Sequence, residues 1–363
     1  MIRFLIDTGT LDVGIGRYLE GRARALRGRV QPVTYHTVLG APAVPGGTWI
    51  FAALDCLSPA ERELASALRV ALVAQGQRVL NDPATSLLRH DLIDALYRAG
   101  TNSFRAVRAS EYRGGLRFPV FLRTDRGHYG NMSPLLYNER ELRQALLSAR
   151  IRFVDAHDLL VVEFRDLSQN GWFHKYSAFR VGDRILSRHA QWSRHWMIKS
   201  ETGDRSPDTA RRERAYMEGS PHDAQLMPIF RLANIEYGRM DYAVHDGRVE
   251  VWEINTAPAL GSTRTTPRDP DDPYRAVTEP AVLAHHERMC HAFSALDDSP
   301  PAGDLVVPWP QPALARRPRE VAAAKRAQRV RALIASVGGV HGLGTIALGV
   351  ERMLRSTVQG KRP

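Results

Sequence analysis

The chain has 363 residues, 44% of them hydrophobic and 25% charged, with two cysteines and a formal net charge of +11. That length suits two or three domains with real cores, and the composition excludes a disordered, fibrous or disulfide-framed protein. The charge does not make the body a polyanion binder, because residues 314–363 hold eleven Lys/Arg against two Glu, leaving only +2 on the rest.

In chain order, Ile2–Ile6 reads as a short apolar strand, followed by a glycine-containing loop and a helical run from Arg17 to Leu26. The opening stretch carries an acidic residue at position 7 and no long apolar core, so it reads as a strand rather than a leader. With Cys56 and Cys290 far apart, a reducing, cytoplasmic setting is the expectation. Trp49–Leu54 is a second strand, Ser58-Pro59 supplies an N-cap and first-turn proline for a helix to Ala74, and Arg78–Leu80 is a third strand. Strands alternating with helices predict a small α/β domain over residues 1–83. Gly14 and Gly16 do not complete a dinucleotide loop, because Leu19 stands where the third glycine would fall.

Asn81-Asp82-Pro83 marks a turn, and Thr85 or Ser86 is placed to cap a helix that stops at Gly100. Strands are predicted at Phe104–Val107, Phe118–Arg123, Leu159–Phe164, Tyr176–Val181 and Arg184–Ser187, with a helix at Glu139–Ala149. This mostly antiparallel stretch reads as α+β. Residues 208–234 read as helix broken near Gly219–Pro221, and a helix at Pro280–Leu296 closes the globular part. Its His285, His286, Cys290 and His291 read as a polar helix face and not as a zinc site. Residues 297–318, with six prolines, read as a linker, and residues 319–363 as a basic tail containing a helix at Arg319–Ala335. The glycine-rich apolar run Val337–Val350 is too interrupted to span a membrane; the tail is expected to be solvated, with contact to a membrane surface or polyanion as its other use.

The hairpin at Arg239–Val244 and Arg248–Asn255 carries the most chemistry. Glu253 and Asn255 are two apart on a strand, so their side chains leave the same face. A two-residue Asp-Gly turn would pair Asp241 with Trp252 and turn the acid away. A three-residue turn with Gly247 as a bulge pairs Arg239 with Glu253 and places Arg239, Asp241, Glu253 and Asn255 together. The second register leaves Met240, Tyr242, Val244, Trp252 and Ile254 on the opposite, apolar face, and is therefore the expected one. Two carboxylates and an amide oxygen on one face suit Mg²⁺, with Mn²⁺ as a second ion of the same kind.

With Asp241, Glu253-x-Asn255 and Pro258 in this order, the chain resembles the ATP-grasp family, which includes D-alanine–D-alanine ligase, glutathione synthetase and the ribosomal-protein glutamate ligases. The resemblance covers about residues 80–295. It implies an ATP-grasp domain over residues 84–296, with a lid-like part at about 104–160, behind a small α/β pre-ATP-grasp domain. It also implies that ATP phosphates meet Arg123, where the family has Lys, and Lys175, with Lys199 a further cation. Thr124–Ser133, with Gly127 and Gly130, resembles the loop that closes over the phosphates. The strand Val161–Asp166 resembles the adenine hinge, with Glu163 and Phe164 at the purine edge and Asp166 at the ribose. Arg239, beside the metal cluster, is expected to stabilise an acyl phosphate, while Arg188 and the aromatic pair Trp192 and Trp196 remain candidates for substrate contact.

The implied activity is an ATP- and Mg²⁺-dependent ligase that activates a small-molecule or peptide carboxylate for attack by an amine, with no specific nucleic-acid partner. The alternatives are an ATP-grasp kinase and a non-catalytic ATP-binding scaffold.

Overall fold

A computed structural model describes residues 1–7, 14–126, 131–151, 156–198, 202–260, 271–298 and 303–336. The N-terminal region contains β1 (Ile2–Ile6), α1 (Ile15–Glu20), β2 (Val30–Thr34), α2 (Tyr35–Val38), β3 (Val44–Pro45), β4 (Thr48–Phe51), α3 (Pro59–Ala74) and β5 (Val79–Leu80). Four of these strands form a parallel sheet in the order β2-β1-β4-β5. Both faces of β1 are buried, as befits a parallel sheet covered on each side. Leu5, Trp49 and Phe51 pack under α3, whereas Ile2, Phe4 and Ile6 meet α1 and the C-terminal half of the chain. The start of α3 is set by a capping box in which Ser58 and Glu61 satisfy each other's backbone N–H groups.

The middle of the chain contributes α4 (Arg89–Arg98), β6 (Ala106–Arg108), β7 (Val120–Thr124), α5 (Glu139–Ile151) and β8 (Leu159–Glu163). Its three strands pair antiparallel in the order β6-β8-β7. One face of this sheet, with Val120, Leu122 and Val161, packs on α5 through Leu142 and Ala149. The other face presents Phe121, Leu160 and Val162 toward a cleft. The second antiparallel sheet, β10-β9-β11-β12, is built from β9 (Phe173–Val181), β10 (Arg184–Ser193), β11 (Tyr237–His245) and β12 (Arg248–Asn255). Helices α6 (Pro207–Gly219) and α7 (Asp223–Leu232) cover its apolar face through Tyr216, Met217, Leu226 and Phe230, against Met240, Tyr242 and Ile254. Then follow α8 (Pro273–Ser294), β13 (Asp304–Leu305) and α9 (Gln311–Ser336). The α/β and α+β division expected from sequence is thus observed. Among the described residues no helix is long and apolar enough to cross a membrane.

Three boundaries differ from expectation. Residues 303–318 do not run as a free linker: β13 pairs with β3, Trp309 Nε1 donates to Ala41 O at 2.8 Å, and α9 begins at Gln311. The first turns of the basic segment dock on α3, with Arg316 on Glu63 at 2.6 Å and Ala60 N–H donating to Glu320 at 2.8 Å. Apolar Val307 and Ala313 buried in the α3 core outweigh the loop character of the prolines. Neither Thr85 nor Ser86 caps α4; its N-cap is Leu88, and Ser86 Oγ instead donates to Asn234 O at 2.7 Å. Helix α8 starts a full two turns before Pro280, capped by Asp272, and buries His285 and His286 instead of exposing them. The run Val337–Val350, Lys199, Gly127 and Gly130 lie outside the described residues.

Candidate nucleotide and metal site

The hairpin that carries the candidate ligands reaches the expected face by an unexpected route. Its turn is the two-residue Asp246-Gly247, both at positive φ (49° and 75°), and His245 pairs with Arg248. That register alone would bring Trp252 opposite Asp241. A β-bulge at Trp252 inserts one residue into β12, so Tyr242 pairs with Val251 while Asp241 pairs with Glu253 and Arg239 with Asn255. The expected three-residue turn is therefore corrected, and with it the place of Trp252. Val251 takes the apolar-face position, while Trp252 turns into the cleft beside Phe121, Phe164 and Trp196. Gly238 allows the two strands this approach: a Cβ there would lie 3.0 Å from Ile254 Cγ2 and 3.1 Å from Asn255 O.

Between the two antiparallel sheets lies a cavity of about 220 Å³. One end is apolar, lined by Phe104, Phe121, Val162, Phe164 and Trp196, with Trp196 centred 5.2 Å from the Phe121 ring and 5.6 Å from Phe164. The other end is charged, with Arg123, Lys175, Asp241 and Glu253 facing inward. Lys175 Nζ lies 3.5 Å from Asp241 Oδ2, and Arg239 Nε donates to Asp241 Oδ1 at 3.1 Å. Glu253 Oε2 accepts from Arg123 Nη2 at 3.1 Å and from Arg89, whose Nε is at 3.0 Å and whose Nη2 makes a second, shorter contact. Four cations thus surround two carboxylates. Burial pushes the Arg123 pKa down, against the opposing pull of the Glu253 charge. Its Nε is buried without a hydrogen-bond partner.

Arg89 is the residue the sequence reading missed. It occupies the first turn of α4, is 7% exposed, and also donates through Nη1 to the Thr124 and Asp125 carbonyls at the end of β7. It therefore ties α4, β7 and β12 together at Glu253. An arginine in an otherwise apolar helix stretch, between two leucines and His90-Asp91, was the available signal.

Other expected residues are placed differently. Both Glu163 oxygens are engaged by arginines, with Arg105 Nε at 3.3 Å from Oε1 and Arg117 Nη2 at 2.8 Å from Oε2. The Phe164 N–H donates to Pro119 O at 2.9 Å, which occupies that donor, while the Phe164 ring lines the cavity. Asp166 is exposed and accepts from Ser168 N at 2.9 Å in a local turn; Arg165 and Leu167, not Asp166, line the cavity. Asn255 Oδ1 accepts the Ala257 N–H at 2.7 Å. Arg188 sits in the bulge of β10 beside His189 and Met217, away from the cavity. Trp192 packs against the apolar face and Trp196 lines the cleft, so the pair divides between core and site.

Two carboxylates and an amide oxygen from adjacent strands make a hard-oxygen donor set that fits a magnesium ion carrying phosphate ligands. Among the described residues no group of three His, Cys, Asp or Glu side chains forms a further metal cluster. The arrangement defines a class by geometry alone: a cleft between two α+β layers, greasy at one end, cationic and carboxylate-bearing at the other.

Solved structures similar to this chain include D-alanine–D-alanine ligase from Bacillus anthracis complexed with ATP, at 12% identity and a TM-score of 0.43, covering 79% of this chain and 99% of that one. The D-alanine–D-alanine ligase from Coxiella burnetii matches at 12% identity and a TM-score of 0.45, with 81% and 98% covered. A RimK domain protein ATP-grasp from Sphaerobacter thermophilus DSM 20745 matches at 16% identity and a TM-score of 0.42, with 78% and 97% covered. No protein-family model matches the chain, and no curated protein does.

Proposed function

We propose that the chain is an ATP-grasp ligase, which uses ATP to convert a carboxylate into an acyl phosphate for attack by an amine. The observation that carries this reading is the cleft itself: an aromatic-lined end adjoins Arg123, Lys175 and the paired acids of the hairpin. Purines stack on aromatic and aliphatic walls, and phosphates require cations or a metal. Asp241, Glu253 and Asn255 would hold the ion, and a bound magnesium supplies the charge that makes phosphate oxygens tolerable beside two carboxylates. Arg123 binds phosphate through its unpartnered Nε, and Lys175 adds a point charge from the neighbouring strand. Arg239, hydrogen-bonded to Asp241, would stabilise oxygen charge on the transferred phosphoryl group. The substrate carboxylate attacks the γ-phosphorus, ADP leaves, and the amine then displaces phosphate from the acyl carbon.

The test is incubation with ATP, Mg²⁺ and panels of amino acids, short peptides and other small carboxylates, reading ADP, phosphate and product mass. ADP and phosphate released together, with a condensed product, are expected, and Glu253→Gln should lower the rate at least about 100-fold. Absence of ADP with every acid, or turnover indifferent to Glu253→Gln, would overturn the reading. A stable phosphorylated product without amine incorporation would identify a kinase instead.

A further inference from the structure

We infer that His189, backed by Glu213 and Tyr274, is the base that takes the proton from the attacking amine; this rests on the ligase reading above. The strand ladders place it on the site's own face. His189 pairs with Ser177, Ser177 with Asp241, and Asp241 with Glu253, so four side chains form one row across β10, β9, β11 and β12. His189 is therefore two strand spacings, about 10 Å of backbone, from Asp241. The residue between them is Ser177, itself buried, whose Oγ has no hydrogen-bond partner. Arg239, on the same face, is close enough for its charge to act on His189.

Behind the ring stands a built support. His189 Nδ1 is 3.0 Å from Glu213 Oε1, and Tyr274 OH donates to Glu213 Oε2 at 2.5 Å. His90 and His245 also pair with carboxylates. The partners of His90 and His245 are exposed, at 55% and 87%, whereas the Glu213 side chain is 9% exposed and the His189 ring 36%. A buried carboxylate behind an accessible imidazole fixes one tautomer: Nδ1–H donates to Glu213, and Nε2 offers its lone pair outward. Burial, followed by the Arg188 charge, holds the His189 pKa down at about 4, so the ring is neutral at neutral pH. For Glu213, burial pushes upward, but the hydrogen bond from His189 and its other partners outweigh it and hold the carboxylate ionised.

The step balances without a further reactant. The neutral amine's lone pair forms the C–N bond at the acyl carbon, His189 Nε2 takes the N–H proton from the adduct, and phosphate leaves with the C–O electron pair. Hydroxylamine separates this role from activation, because it captures acyl phosphates as hydroxamates without a base. His189→Gln should keep hydroxamate formation within about twofold while losing amide formation by about 10²–10³, the usual worth of a general base. Tyr274→Phe, a milder change, should lower amide formation alone and by less. Loss of both products alike, or retention of both, would refute the assignment of His189. If the wild-type chain makes no hydroxamate from any acid tested, ligase chemistry itself fails, and the base with it.

Discussion

Arg89 offers the sharpest test of how the cleft is held together. Replacing it with Met keeps the length and apolar stem but removes the donors to Glu253 and to the Thr124 and Asp125 carbonyls. Removing one partner of a buried ion pair costs about 3–5 kcal/mol, and since Arg123 still reaches Glu253, the lower end applies, about 3 kcal/mol. Glu253→Gln alone should cost about 1–2 kcal/mol, because the amide oxygen still accepts from both arginines. The two residues touch, so the double variant should cost less than the sum by about 1–2 kcal/mol: the carboxylate that Arg89→Met strands is then no longer charged. The assay is equilibrium urea unfolding read by tryptophan fluorescence, with the midpoint shift taken at unchanged m-value. Trp196 and Trp252 line the cleft and report on it. Additivity within about 0.5 kcal/mol would show that Arg89 and Glu253 are not coupled, and the tie between α4 and β12 would have to be abandoned.

Two further outcomes follow from the same structure. Gly247→Ala should destabilise the fold by about 1–2 kcal/mol, because its φ of 75° penalises a Cβ although there is open space around it; Gly247→Asn should recover most of that in the same unfolding assay. Burial pushes the Glu163 carboxyl up, but hydrogen bonds from Arg117 and Arg105 outweigh this and hold it below the ordinary 4.5. Its contribution is therefore fully present above that value and is lost as pH falls through the lower folded value. Glu163→Gln should flatten the fall in melting temperature between about pH 5 and about pH 3, and an unchanged slope would show that Glu163 is not the group responsible.

Much of this architecture was legible because local signals agreed with the tertiary ones. Ser58-Pro59-x-Glu61 fixes the start of α3 by itself, and the alternation in β11 separates Arg239 and Asp241 from Met240 and Tyr242 whatever the turn. The register of β12 was not legible, since Asp246-Gly247 asks for a two-residue turn while the apolar partition asks for an odd shift. The chain meets both demands by bulging at Trp252, a residue the pattern assigned to the core but the cleft requires. A bulge has no composition signature, so the conflict itself was its only trace. Arg89 escaped for a related reason: its partners lie 164 and 35 residues away, and nothing nearby marks it as buried. The docking of Trp309 and Ala313 on the N-terminal sheet was hidden by prolines, which mark the chain's local stiffness and say nothing of what it packs against.

The arginine at position 123, where the resembled family has lysine, has a reason in this geometry. A lysine offers one nitrogen and would have to choose between Glu253 and a phosphate. Arg123 offers three: Nη2 is spent on Glu253 while Nε is buried and unpartnered. With Arg89 also on Glu253, and Lys175 and Arg239 on Asp241, the two acids carry four cations between them, a local surplus of two positive charges. Such a surplus is unfavourable until an anion arrives, and a single monovalent ligand does not balance it. Under the proposed reading a polyphosphate accompanied by its metal would balance it: Asp241 and Glu253 would hold the ion, and the guanidinium and ammonium groups would be available to phosphate oxygens.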